Sequence, residues 1–290
     1  MTTMKVLATG ATGYFAHHIV PALAAHGVEV RALVHDPAKT DRALRGGAIE
    51  TVVADLRDPD SLDAALDGVD GLFLILPAFA PDTVALGTGA VATAAARGVR
   101  RVVYSGVYHP SLSLANHADT RPVEEALYHS GMEFTVLQPA MYLQGLTGSW
   151  PAAVDTGIYA APWSRRAAMT YVDFRDVAEV AAHAFARDDL VGGTFELATG
   201  TYTREQIAVA MSRHAGRPVE PVDLPPLRAV DAMPPGPQRD GLAAMFTDYD
   251  THGFHGGNDV VLRTLLGRPP RTLEQFIAEL AGDQPMERQR

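Results

Sequence analysis

The chain has 290 residues, 34 acidic against 24 basic, a formal net charge of -10 at pH 7 and no cysteine. The missing cysteine excludes disulfides, a thiol nucleophile and cysteine-based zinc sites, and scattered basic residues in an acidic chain argue against nucleic acid as a partner. No apolar run approaches the roughly 18 residues of a spanning helix, and the N-terminus carries no basic, cleavable leader, so the expectation is a cytoplasmic protein with no membrane contact.

The first elements lie in "VLATGATGYFAHHIV". Lys5–Ala8 reads as a strand, Gly10 and Gly13 as the tight turn leaving it, and Tyr14–His26 as a helix. Glycine suits position 10 because the turn asks for backbone angles that a Cβ opposes, and position 13 because the chain must approach a pyrophosphate closely. Ala16 takes the place of a third glycine, giving Gly-x-x-Gly-x-x-Ala. A phosphate would sit on the free N–H groups and positive dipole end of the following helix. Gly10, Thr12, Gly13, Tyr14 and Phe15 are therefore the expected phosphate contacts, with an ordinary strand-helix turn as the bland alternative.

Further strands are expected at Glu29–Val34, Glu50–Ala54, Gly71–Leu76, Arg101–Tyr104 and Phe134–Leu137, and helices at Ser61–Leu66, Asp82–Arg97 and Pro122–Ser130. "GLFLIL" and "RVVY" are continuous apolar runs, as expected where helices cover both sheet faces. The alternation predicts an α/β fold with a doubly wound parallel (Rossmann) sheet. After Gln138 it breaks down into a stretch with Trp150, Trp163 and several prolines. There follow "YVDFRDVAEVAAHAFA", an acid-led helix, and the strand candidate "GTFELAT". Two helices then open with capping boxes, Thr203 with Gln206 and Thr272 with Gln275. Prolines make Leu224–Gly241 a loop or broken helical region. The expected organisation is a nucleotide core over residues 1–140, rejoined by 169–200, with 141–168 and 201–290 as a smaller C-terminal substrate-covering cap.

In such a fold the end of the second strand separates NAD from NADP, an acid bonding the ribose 2′-hydroxyl and a cation accepting a 2′-phosphate. Here "ALVHDPAKT" offers His35, Asp36 and Lys39, and Asp36 reads equally well as a turn cap before proline. Asp55 stands where it can bond an adenine amino group or cap a helix, with Leu56, Leu76 and Pro77 beside the nucleotide at the carboxyl ends of the third and fourth strands. His17 and His18 are adjacent on a helix and point apart, with no acid at metal-site spacing, so no metal is expected.

Together "ATGATGYFAHHIV", "RALVHDPAKT", "VVADLRDP", "RRVVYSGVYHP", "VEEALYHSGMEFTVLQPAMYLQ" and "MTYVDFRDVAEVAA" resemble the NmrA-like group of atypical short-chain dehydrogenases/reductases. The similarity runs in order to about residue 200, and "LLGRPPRTLEQFIAEL" is similar to the group's C-terminal helices. The resemblance implies NAD(P)H-dependent reduction of quinones and other small aromatic or enone substrates. The group also includes regulators that bind NAD(P) without turning it over, so a sensor acting on a protein partner is the second reading, and a non-redox biosynthetic enzyme on the same fold is the third. From the resemblance and Lys39, NADP(H) is favoured over NAD(H).

The chain departs from the group's reductases at one position. Its only lysines are Lys5 and Lys39, so the Tyr-x-x-x-Lys pair of many short-chain dehydrogenases is impossible. In "TRPVEEAL" Thr120 takes the place of the lysine that NmrA-like reductases often carry ahead of the acid, here Glu124, and Arg121 is one residue off. The proton donor must come from elsewhere near the strand ends. Candidates are Tyr108 and His117, with Thr120 offering its hydroxyl to the ribose, and histidine is suited because its ordinary pKa lies near neutrality. Against this, Tyr108 reads as a packed wall residue and His109 and His117 as solvated loop residues. Ser105, Gln138, Pro139 and Ala140 are expected beside the nicotinamide, and Tyr108, His109, Met141, Tyr142, Gln144 and Trp163 along the wall for a flat apolar substrate. Many relatives have Arg-Pro-Gly where this chain has Gln138-Pro139-Ala140.

Overall fold

The computed structural model describes residues 4–282; residues 1–3 and 283–290, counted above in the core and the cap, lie outside the described residues. In chain order the first elements are β1 (Lys5–Ala8), α1 (Ile19–Ala25), β2 (Glu29–Val34), α2 (Thr40–Arg45), β3 (Glu50–Val53), α3 (Pro59–Ala65) and β4 (Gly71–Ile75). Next come α4 (Thr83–Ala96), β5 (Arg101–Ser105), α5 (Ala115–Ala118), α6 (Arg121–His129), β6 (Glu133–Pro139), β7 (Met141–Tyr142), α7 (Trp150–Thr156) and β8 (Ile158–Ala161). The remainder are β9 (Met169–Val172), α8 (Phe174–Ala186), β10 (Thr194–Leu197), β11 (Gly200–Tyr202), α9 (Arg204–Ala215), β12 (Glu220–Asp223), α10 (Pro237–His252), α11 (Val260–Leu266) and α12 (Leu273–Leu280).

The chain divides into two compact units, Met1–Pro139 with Phe174–Leu197, and Ala140–Asp173 with Ala198–Arg290. The first holds a seven-stranded sheet in the order β10-β6-β5-β4-β1-β2-β3. All its pairings are parallel. The order reverses between β1 and β4, the switch point at which open α/β sheets bind ligands. One side of the sheet packs Leu7, Leu72, Leu74, Val102 and Tyr104 against Leu62, Ala90, Val123 and Leu127 of α3, α4 and α6. Each such aliphatic side chain contributes about 1.5–3 kcal/mol by leaving water.

Three details differ from the sequence reading. The helix expected from Tyr14 starts later, as a 3-10 turn at Ala16–His18 that leads into α1. Residues 11–15 are held in turns because Gly10 has φ +67° and the Gly13 N–H donates to the Gly10 carbonyl at 2.8 Å. A short helix, α2, was not expected; among its residues only Ala43 is buried, so it leaves no apolar periodicity. The return to the first unit begins at Phe174, not at 169, because Met169–Val172 pairs with β7 and β11 of the second unit.

That second unit contains the sheet β11-β9-β7 and the pair β12-β8. The capping boxes read from sequence open α9 and α12, Thr203 with Gln206 and Thr272 with Gln275. Within Leu224–Gly241 a 3-10 turn over Pro226–Val230 is followed by the start of α10 at Pro237. Asp176 lies inside the first turn of α8, fully buried, where an acid complements the helix dipole.

Candidate functional site

The glycine-rich turn is built as the chemistry of a close backbone approach requires. A Cβ on Gly10 would stand 2.6 Å from Ile75 Cγ2, and one on Gly13 would stand 3.1 Å from the Gly10 carbonyl oxygen. The turn is tied to the neighbouring strand by Thr9, whose Oγ1 donates to the Ile75 carbonyl at 3.0 Å and accepts from the Ile75 N–H at 2.9 Å. Tyr14 is 60% exposed and its ring meets Phe15 edge-on. His17 Nδ1 reaches the Gly13 and Tyr14 carbonyls at 3.1 and 3.0 Å. Burial and the positive charge of Arg42 lower the His17 pKa, against the opposing pull of those carbonyls.

The residues after β2 divide their work. Asp36 accepts from the Ala38 N–H at 2.9 Å and so caps the local turn. His35 Nδ1 lies 3.6 Å from Asp55 Oδ2. Asp55 also accepts from the Arg57 N–H at 2.9 Å, while the cap of α3 is Asp58. Lys39 is exposed and precedes α2. Arg42, which the sequence reading passed over, is half-buried and places Nη1 3.4 Å from the Thr12 carbonyl oxygen in the glycine-rich turn. Its only sequence signal is a second basic residue three positions after Lys39. Leu56 and Leu76 pack against the core and Pro77 is exposed. The loop beyond holds Phe79 at φ +58°, a conformation non-glycine residues rarely adopt.

At the carboxyl end of β5, Ser105 is 3% exposed and its Oγ has no hydrogen-bond partner. It stands in register with Ile75 of β4 and Leu137 of β6, level with the glycine-rich turn. The three residues expected to be catalytic form a chain of backbone supports. Thr120 Oγ1 donates to the His117 carbonyl at 2.8 Å, His117 Nδ1 lies 2.8 Å from the Tyr108 carbonyl, and the Tyr108 N–H donates to the Pro139 carbonyl at 3.0 Å. His117 is completely buried, so the expectation of a solvated loop histidine fails.

The Tyr108 phenol, 1% exposed, is hydrogen-bonded to Glu196. Burial, reinforced by the Glu196 charge, pushes its pKa up to about 12. His109, at φ +55°, packs its ring 4.0 Å from that of Tyr108 and sets Nδ1 3.3 Å from Glu196 Oε1. Glu196 arrives on β10, beyond the reach of local sequence patterns. Gln138 of β6 donates from Nε2 to Glu124 Oε1 at 2.9 Å. Burial raises the Glu124 pKa, and the Gln138 bond only partly offsets it.

In the second unit Ala140 is buried, and Met141 and Tyr142 form β7, half-buried. Gln144, expected to face substrate, is buried and donates from Nε2 to Asp173 Oδ1 at 2.8 Å. Trp163 is 9% exposed, its ring 6.2 Å from that of Phe246 and its carbonyl bonded to the Arg204 guanidinium.

The sequence profile of the NmrA-like family matches residues 2–278. Quinone oxidoreductase 2 of Escherichia coli is 29% identical over 281 residues, covering 94% of this chain and 97% of that protein. The (4-alkanoyl-5-oxo-2,5-dihydrofuran-3-yl)methyl phosphate reductase of Streptomyces griseus is 32% identical over 289 residues, covering 95% and 98%. Among solved structures, the NADPH-dependent quinone oxidoreductase of Escherichia coli in complex with NADPH superposes with a TM-score of 0.80 at 25% identity, covering 95% of this chain and 99% of that one. Profile, relatives and fold all run nearly the whole length of the chain, and it belongs to the NmrA-like family.

Proposed function

We propose that this protein is an NAD(P)H-dependent oxidoreductase that reduces a small apolar quinone, enone or aromatic carbonyl compound, with NADP(H) favoured over NAD(H). One observation carries the reading: the buried, unpartnered Ser105 hydroxyl at the carboxyl end of β5, level with the glycine-rich turn. A buried polar group without a partner costs about 1–3 kcal/mol, which a ligand oxygen accepting from Ser105 offsets. The Gly10 and Gly13 turn supports the same reading: neither position has room for a Cβ, which would stand 2.6 Å from Ile75 Cγ2 or 3.1 Å from the Gly10 carbonyl oxygen, so the backbone is left bare for a close approach. The relatives named as quinone and dihydrofuranone reductases support the substrate class.

When bound, the nicotinamide supplies a hydride, and solvent supplies the proton that completes the reduction. Gly10, Thr12, Gly13, Tyr14 and Phe15 would hold the pyrophosphate, at the start of the 3-10 turn that leads into α1. Ser105 would donate its hydroxyl to the oxygen that gains charge, as a fixed hydrogen-bond donor. Tyr108 stays protonated near neutrality because of its raised pKa and acts as a neutral wall. His117 and Thr120 are positioning residues that hold the 105–109 segment through the Tyr108 and His117 carbonyls.

The test is loss of NADPH absorbance with a panel of benzoquinones, naphthoquinones and cyclic enones. Turnover of at least one class is expected, and Ser105→Ala should lower kcat by about a hundredfold, as loss of one oxyanion donor does. Tight NADPH binding with no turnover across the panel would overturn the reductase reading in favour of a nucleotide sensor.

A further inference from the structure

Past Ser105 the chain crosses the carboxyl end of β6 and turns sharply at a histidine. His109 has φ +55°, in the left-handed region that residues with a Cβ rarely adopt, and it precedes Pro110, whose ring further restricts the residue before it. The conformation is held from both sides. The Tyr108 N–H donates to the Pro139 carbonyl at 3.0 Å, the Tyr108 carbonyl meets His117 Nδ1 at 2.8 Å, and the His109 carbonyl accepts from the Leu112 N–H at 3.1 Å. Backbone strain persists only where the surroundings over-determine it, and it gathers where a side chain must be aimed. Here the turned imidazole packs its ring 4.0 Å from that of Tyr108 and sets Nδ1 3.3 Å from Glu196 Oε1.

Glu196 serves both side chains, since its carboxylate also bonds the Tyr108 hydroxyl. It stands in register with Gln138 of β6, and Ser105 in register with Leu137, so both lie on the carboxyl rim of the sheet. A carboxylate on Nδ1 fixes the tautomer of a neutral imidazole, favours its charged form and leaves Nε2, across the ring, as the nitrogen that passes a proton to a ligand. The His109 side chain is 30% exposed and that of Glu196 47%, so water can reload the pair. Tyr108 does not compete, because its phenol is held by Glu196 with a pKa pushed up to about 12. We propose that His109 is the catalytic proton donor of the reduction, with Glu196 as the positioning residue that orients it, a step that rests on the reductase reading above. As hydride forms the new C–H bond, the C=O π pair moves onto oxygen, directly or through the conjugated double bond. That oxygen, held by Ser105, takes the Nε2 proton, and water returns one to the imidazole. The substrate gains two electrons and the nicotinamide loses them.

His109→Gly tests this directly, because glycine suits φ +55° and the variant loses the imidazole without new backbone strain. It should melt close to the parent and, by calorimetric titration, bind NADPH with the parent's affinity. With a quinone or cyclic enone that the parent reduces, kcat should fall by about a hundredfold to ten-thousandfold, the contribution of a general acid. The decline of kcat at high pH should vanish from the profile, and added imidazole should restore turnover in proportion to its concentration. Glu196→Gln keeps the shape and removes the charge, so the decline should move to lower pH, the imidazolium having lost its anionic neighbour. A kcat within about threefold of the parent in His109→Gly, far short of a lost general acid, overturns the assignment. So does a loss that imidazole fails to restore with the pH profile unchanged, or an unmoved decline in Glu196→Gln. In each of these cases the parent's turnover leaves the reductase reading standing, whereas a parent that reduces no quinone or enone overturns both.

Discussion

Gln138 Nε2 donates to Glu124 Oε1 at 2.9 Å, a neutral amide bonded to a half-buried carboxyl whose pKa burial has raised. Because the folded pKa lies above the unfolded one, the folded state holds this proton more tightly. The resulting stability is full below the unfolded pKa and is lost as pH rises through the folded value. Gln138→Arg would place a cation on Glu124 and hold it ionised. The variant should gain about 1 kcal/mol at neutral pH, net of the cost of desolvating the guanidinium, and lose that gain once Glu124 protonates. Urea denaturation of both proteins on either side of the carboxylate range checks this, and a gain that does not change with pH refutes the electrostatic account.

Gly10→Ala meets two obstacles, a φ of +67° and a Cβ position 2.6 Å from Ile75 Cγ2. The expected cost is about 1–3 kcal/mol of stability. Nucleotide binding should fall below detection by titration, because the turn proposed to cradle the phosphates must open. A variant that binds NADPH as the parent does would show that the turn is not the phosphate site.

Arg101 opens β5 at 1% exposure and ties the end of α8 to the sheet. Its guanidinium donates to the Ala184, Phe185 and Arg187 carbonyls at 3.2, 3.2 and 3.3 Å, and to Glu133 and Asp188 at 2.7 and 2.6 Å. A cation at a helix C-terminus also complements the dipole. Arg101→Met should cost about 1–3 kcal/mol, read from the urea midpoint, because the buried Ala184 and Phe185 carbonyls lose their donor while the solvent-accessible Glu133 and Asp188 carboxylates return to water. A cost under about 1 kcal/mol would mean that water replaces the guanidinium.

Tyr108→Phe separates a proton donor from a wall. With a pKa pushed up to about 12 and its hydroxyl bonded to Glu196, the phenol does not ionise in the range where assays run. The variant should keep the shape of the kcat pH profile and lose less than about tenfold in kcat, below the 10²–10⁴ of a general acid. A loss of about a thousandfold together with a changed basic limb would make Tyr108 the proton donor.

The elements that sequence alone determined are those whose cause is local. The strands of the first unit are apolar runs, the capping boxes are three-residue spacings, and the turn after β1 needs glycine for its own backbone angles and for close approach. These causes act within a few residues, so the doubly wound sheet, the tight glycine-rich turn and the family were legible from the residues in order. Asp36 likewise revealed its role as a cap because its partner, Ala38, is two residues away.

Tertiary structure decided whatever depends on residues distant along the chain. Burial raises the Tyr108 pKa and disfavours it as an acid, and the Glu196 charge, which meets Tyr108 only because β10 adds to the sheet beside β6, reinforces the rise. His117 is buried because its ring supports the Tyr108 carbonyl, whereas the same residue in an unfolded segment looks like a solvated loop histidine. Gln144 is bonded to Asp173, which reached it from beyond β9. Arg42 reaches the glycine-rich turn across from α2, a helix too short and too polar to announce itself, and a long side chain's reach is set by what packs beneath it rather than by spacing.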